Sequence, residues 1–337
     1  MMKISMTSYN VDLSDADLRQ LSQLGVDCID FGKGSAFKGV KEQGYPDLDE
    51  LLKLKRRIRS YGMDINRVTL PDLSLKFMHN EPGAEGELEN SIRAMKVFGE
   101  AGIPIARQRF EGDTFPQLTT QYRSIQRGGA IARGEAVGFN QEEYHPTLEL
   151  YEAYWNRFCD AYAQLVPVAE DYNVQLGMHP SDAPHPGTLF GGLGYRRIID
   201  AFPSKNVGYI YCVGTRAEEG GSSLVLDEIN QYGRKGRIFL VHFRNVRGSL
   251  PTTKAFEEAL LDDGDLNMFK ILLELHKVGY DGCLNPDHVP ILEGVQIEHN
   301  PSWPNTCIQW NYNNIGYVYS IGYIKALLAA LVEFSGK

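Results

Sequence analysis

The sequence predicts an α/β protein of the (β/α)8 barrel class, one barrel domain over residues 1–337, with extended loops after the fourth and eighth strands. Three observations lead there. Eight short β-branched or apolar runs alternate with longer segments of helical period, the pattern of a parallel sheet covered by helices. No glycine-rich nucleotide turn follows the first run, as an open doubly wound sheet would often carry. Finally, four consecutive runs end on a metal-capable side chain, and the C-terminal strand ends are where barrels of this class build their sites.

The strand candidates are "KISMTSY" (3–9), "VDCIDFG" (26–32), "DINRVTLPD" (64–72), "IPIARQRF" (103–110), "NVQLGMHP" (173–180), "VGYIYCVG" (207–214), "IFLVHFRNV" (238–246) and "GCLNPDH" (282–288). The first helix is expected between Ser14, an N-cap, and Gly25, a C-cap. The second opens at Pro46 with acids at its start and bases near its end, as the helix dipole favours. Residues 111–147 and 289–316 break the rhythm. Loops of that length on the mouth of a barrel usually serve as lids or binding loops. "DDGDLNM" (262–268) lacks the spacing of a calcium loop and reads as the start of the seventh helix, with Asp263 or Asp265 near its N-terminus.

With a net charge of -9 the chain lacks the excess of Lys and Arg that nucleic acid or an anionic membrane surface requires. "MMKISMTSYN" contains no apolar signal core, and "IKALLAALVEF" reads as a short amphipathic helix rather than a span. Five scattered cysteines (28, 159, 212, 283 and 307) read as reduced thiols. The expectation is a cytoplasmic enzyme acting on a small molecule.

The strand ends carry the chemistry. "GMHP", "YIYCVG", "FLVHFRNV" and "NPDHVP" place His179, Cys212, His242 and Asp287 on four neighbouring strands, close enough to share one ion. Two His, one Cys and one Asp suit zinc by softness, but a catalytic site must keep an open position, which a larger ion would. Arg244 lies two residues from His242 and so faces the same way. There it either receives a substrate carboxylate or pairs with a loop acid. Asp287 and His288 are consecutive and should diverge, leaving His288 as an acid or base beside the metal. Arg107 and Arg109, at the end of the fourth strand, either bind an anionic substrate or pair with Glu111 and Asp113.

"MHPSDAP" (178–184), "YCVGT" (211–215), "VHFRNVRG" (241–248), "DDGDLNM" and "PDHVP" (286–290), in that order, resemble the mannonate dehydratases, relatives of the xylose-isomerase-like barrels. The resemblance covers roughly residues 173–335. It implies a divalent cation, usually Mn2+ with Zn2+, Co2+ or Fe2+ as alternatives, on His179, Cys212, His242 and Asp287. His288 and a tyrosine of the last loop, Tyr312 or alternatively Tyr317, would be the acid and base. Apart from the resemblance, Arg244 and Asn245 after the seventh strand, and Arg107 and Arg109 at the end of the fourth, are the candidate substrate-binding residues. The implied reaction is conversion of D-mannonate, or a close aldonate, to a 2-keto-3-deoxy acid and water by a cytoplasmic homodimer. The first half departs from the family: "SMTSYN" and "IARQRFEGD" replace its aromatic stretches, and Ser181 stands where it has an acid. These departures leave room for an epimerase, isomerase or β-eliminating lyase acting on a related keto-sugar. A non-catalytic sugar-binding barrel is the reading furthest from the motifs.

Overall fold

The structure is a computed structural model that describes residues 1–112, 119–137, 147–182, 188–294 and 314–335. Twelve strands are present among these residues: β1 (Lys3–Ser8), β2 (Cys28–Phe31), β3 (Asp64–Thr69), β4 (Ile105–Arg107), β5 (Thr119–Ile125), β6 (Ile131–Val137), β7 (Gln175–Met178), β8 (Val207–Cys212), β9 (Ile238–His242), β10 (Asn245–Arg247), β11 (Ala255–Ala259) and β12 (Cys283–Asn285). Eight of them close a barrel in the order β1-β12-β9-β8-β7-β4-β3-β2, each pair parallel. The eight expected runs all contribute, and the (β/α)8 class holds.

Local chemistry sets the helix boundaries. Ser14 caps Asp15–Leu24 in a reciprocal capping box with Asp17, and Gly25 ends the helix at a φ of 79°. Asp47 caps Leu48–Arg59 by accepting from the Glu50 amide. The helix after "DDGDLNM" is Met268–Lys277, and its cap is Asn267 rather than either aspartate. The last helix, Asn314–Ser335, is longer than expected and not amphipathic. By length and composition alone Ile315–Ser335 could cross a membrane. In the fold, its Tyr317, Ile321, Ile324 and Leu331 are buried, and Lys325 Nζ donates to the Leu24 carbonyl at 3.0 Å.

The largest departure from expectation concerns the loop after β4. Its described part is a β-hairpin, β5 and β6, that turns through Gly128 and Gly129 in left-handed conformations. The seventh run also divides at His242 into β9 and β10. β10, β11, β6 and β5 form a second, antiparallel sheet. An isolated bridge from Ile131 to Ile291 ties it to the chain after β12. Segments following β4 and β9 thus build one sheet on the functional face, and the chain after β12 is tied to it by that bridge.

Inside the barrel, alternate residues stack in layers. A small apolar cluster comprises Cys28, Ile105, Ile210, Phe239, Leu240 and Cys283. Two residues further along each of β2 and β12 lie Asp30 and Asn285. The fully buried Asp30 carboxylate accepts from Ser5 Oγ at 2.5 Å, Asn66 Nδ2 at 2.9 Å and Asn285 Nδ2. Two residues beyond Ile210, Leu240 and Asn285 lie Cys212, His242 and Asp287 at the mouth. Asp30→Ala would strand these donors, and we expect a loss of about 3 kcal/mol in urea-induced unfolding. A loss below about 1 kcal/mol would show that the polar layer contributes little to stability.

Candidate metal centre and active site

His179, Cys212, His242 and Asp287 are all buried, and one potential ligand atom from each lies within 4.8 Å of the others. His242 Nδ1 is 3.2 Å from His179 Nε2 and 3.2 Å from Asp287 Oδ2. Two donors that share one ion at bond lengths of about 2.1 Å sit about 3.0–3.4 Å apart, so these separations match the edges of a coordination polyhedron. The Nδ1 of His179 is 2.7 Å from the Pro180 carbonyl, a contact that holds its proton and leaves Nε2 for an ion. The donor set and its spacing fit a divalent cation.

Cys212 is the last residue of β8 and the N-cap of the helix Val213–Arg234, where backbone amides favour negative charge. Thr215 Oγ1 and Arg244 Nε both donate to its sulfur at 3.2 Å. Burial opposes ionisation, but the Arg244 charge above all holds the thiol well below its ordinary range. Burial and Arg107 keep His179 neutral. His242 is pushed up to about 9: burial opposes this, and the carboxylate of Asp287 prevails. Asp287 is correspondingly held well below the carboxylate range against its burial, chiefly by His288 and His242.

Arg244 does face the mouth, yet its donors are engaged by the protein. Besides Cys212 they reach Thr215 Oγ1 (2.7 Å), Glu258 (2.7 and 2.8 Å) and Glu218 Oε1 (2.7 Å). The ion-pair alternative is the one the structure shows. Asn245 is likewise structural. It donates to the carbonyls of Leu261 and Leu266 and accepts from the Leu266 amide, pinning the loop that leads to Met268–Lys277. Ser181, which stands in place of an acid, exchanges two hydrogen bonds with Phe190 and secures the chain after β7.

Asp287 and His288 do not diverge as alternation predicts. β12 ends at Asn285, and His288 adopts a left-handed backbone with φ of 47°. This conformation is uncommon for a non-glycine residue and costs about 1–3 kcal/mol. It turns His288 back, so that Nε2 lies 3.5 Å from Asp287 Oδ2 and Nδ1 lies 3.0 Å from Glu258 Oε1.

Arg107 is half-buried at the mouth and near enough to act on His179 and Tyr9. Arg109 is exposed. Tyr312 lies outside the described residues, and Tyr317 is packed in the hydrophobic core. Sequence reasoning missed Tyr9, which is pushed up to about 12 by burial and the nearby Asp287 carboxylate. It also missed Glu218, Glu258 and Arg133, of which only Glu218 lies close to a quoted motif, just beyond "YCVGT".

A parallel barrel whose mouth gathers two histidines, a cysteine and an aspartate, with a further histidine adjoining them, has the donor set of a metal-binding barrel. A sequence model of the D-mannonate dehydratase (UxuA) family matches residues 136–336, and the chain belongs to that family of carbon–oxygen lyases. It is 22% identical over 291 residues to mannonate dehydratase 2 of Halalkalibacterium halodurans, covering 77% of this chain and 84% of that one. Over 335 residues it is 22% identical to the mannonate dehydratase of Thermotoga petrophila, covering 87% and 91%. The crystal structure of mannonate dehydratase from Streptococcus suis serotype 2 shares the fold with a TM-score of 0.82 at 20% identity, covering 100% of this chain and 97% of that one. A D-tagatose 3-epimerase-like protein is more distant, with a TM-score of 0.59 at 17% identity over 99% and 100%.

Proton release gives a test of the centre. At pH 7 His242, pushed up to about 9 against its burial by the Asp287 carboxylate, must lose a proton before it can ligate. We expect divalent-ion binding at pH 7 to release at least about one proton, measured by calorimetry in buffers of differing ionisation enthalpy. Release should fade above about pH 10, once His242 is already neutral, and apparent affinity should rise between about pH 7 and 9. Binding with no proton release at about pH 7 would contradict the assignment.

Proposed function

We propose that the protein removes water from D-mannonate to give 2-keto-3-deoxy-D-gluconate, with Mn2+ held by His179, Cys212, His242 and Asp287. The observation that carries this reading is the buried four-donor centre with His288 turned beside it, in a chain of the D-mannonate dehydratase family.

When bound, the cation supplies Lewis acidity to the carboxylate and C2 oxygen of the substrate, lowering the cost of charge that develops as the C2 proton leaves. The remaining steps belong to side chains. Arg107, from the end of β4, is placed to receive the substrate carboxylate through its guanidinium fork. Arg109 lies on the exposed side of the same strand end and serves the outer rim. A tyrosine of the last loop, Tyr312 by the family pattern, accepts the C2 proton. The C3 hydroxyl is a poor leaving group as hydroxide, and His288 donates the proton that lets it depart as water. Tyr9, whose phenol stays protonated at neutral pH, donates a hydrogen bond to a substrate oxygen.

Metal-stripped protein should show no formation of 2-keto-3-deoxygluconate from D-mannonate, and Mn2+ should restore it. His288→Asn is expected to lower kcat by roughly a thousandfold. Absence of product from protein shown by elemental analysis to hold a divalent ion would overturn the substrate assignment. Turnover of a keto-sugar instead would move the reaction to isomerisation or epimerisation. Replacement of Arg107 by Leu should raise KM at least about tenfold, the loss of one charge-assisted carboxylate contact. An unchanged KM would remove Arg107 from the binding site.

A further inference from the structure

We propose that Glu258, on the accessory sheet, is a positioning residue for His288: its carboxylate fixes the imidazole with Nδ1–H held behind and Nε2 presented to the substrate. This rests on the dehydratase reading for what His288 does, while the contact itself stands on geometry.

Glu258 Oε1 is 3.0 Å from His288 Nδ1, and the carboxylate is almost fully buried at 1% exposure. Two arginines fix it from different elements. Arg244, next to the metal centre, meets both of its oxygens at 2.7 and 2.8 Å. Arg133, on β6 of the accessory sheet, donates to Oε1 at 2.9 Å. Arg133 also lies 3.5 Å from Glu135, and Arg244 is 2.7 Å from Glu218. Glu258 is thus held by charges on both sides, and an imidazole that donates to it has little freedom to rotate.

That restraint matters because His288 sits in a left-handed backbone, with no strand ladder to hold it. An imidazole free to turn could present either nitrogen. A carboxylate behind Nδ1 keeps a proton on that nitrogen and aims Nε2, from which the departing hydroxyl takes its proton, at the centre, the role that carboxylate–histidine pairs play in other sites. The arrangement also gives the accessory sheet a purpose. β11 supplies Glu258, and β6, paired to it, supplies the Arg133 that keeps the carboxylate in place.

The test compares Glu258→Gln, His288→Asn and the double variant, each loaded with Mn2+ and assayed on D-mannonate. Glu258→Gln is expected to lower kcat about 10–100-fold with KM and Mn2+ stoichiometry unchanged. In the His288→Asn background it should cost nothing further. A loss that multiplies through both backgrounds, or a wild-type kcat in Glu258→Gln, overturns the proposal. Should Glu258→Gln fail to fold, Glu258→Asp, which keeps the charge but shortens the reach, must show the same non-additivity. A second readout needs no substrate. In Zn2+-loaded protein with 15N-labelled histidine, the His288 resonances, assigned by their loss in His288→Asn, should report a protonated Nδ1. A bare Nδ1 refutes the contact. If the wild type leaves D-mannonate untouched, the dehydratase reading fails and the nitrogen spectrum still decides the role of Glu258.

Discussion

Burying several negative side chains in one barrel mouth is the constraint around which this molecule is arranged. The Cys212 sulfur and the carboxylates of Asp287 and Glu258 all sit within the same dry region, beside Glu218, whose carboxyl burial pushes up to about 8. Isolated buried charges of this kind cost several kcal/mol each. Arg244 answers most of that cost, since one guanidinium reaches the sulfur, both glutamates and Thr215. A divalent ion held by His179, Cys212, His242 and Asp287 would supply the remaining positive charge. The residue that motif order places on the substrate is therefore engaged by the protein itself.

The accessory sheet follows from the same constraint. Glu258 on β11 and Arg133 on β6 are buried partners, and they require strands laid close over the functional face. Loops after β4, β9 and β12 meet there, so the metal ligands, the histidine beside them and the cover over them form one connected network. Removing a single partner would leave an uncompensated charge rather than a missing contact, which costs about 3–5 kcal/mol in buried pairs.

Much of this was legible in the sequence. Eight apolar runs gave the barrel, because strands buried on both faces must be apolar and short. The four ligands could be read because barrel geometry confines functional side chains to strand ends, so position narrows a His or Cys that composition alone leaves ambiguous. Three things were hidden. The hairpin after β4 has polar, partly exposed strands, and only the turn at Gly128 and Gly129 marks it. Backbone alternation fails at His288, because a left-handed φ on a non-glycine residue has no sequence signature. Glu258 and Arg133 are far apart in the chain and meet only through strand pairing, so neither belongs to any local motif.

The most direct measurement is anomalous X-ray scattering at the manganese edge from crystals grown with Mn2+. We predict one strong peak bound by His179 Nε2, Cys212 Sγ, His242 Nδ1 and Asp287 Oδ2, with His288 Nε2 beside the ion but outside its coordination. A peak elsewhere, or one that takes His288 as a ligand in place of any of the four, would contradict it.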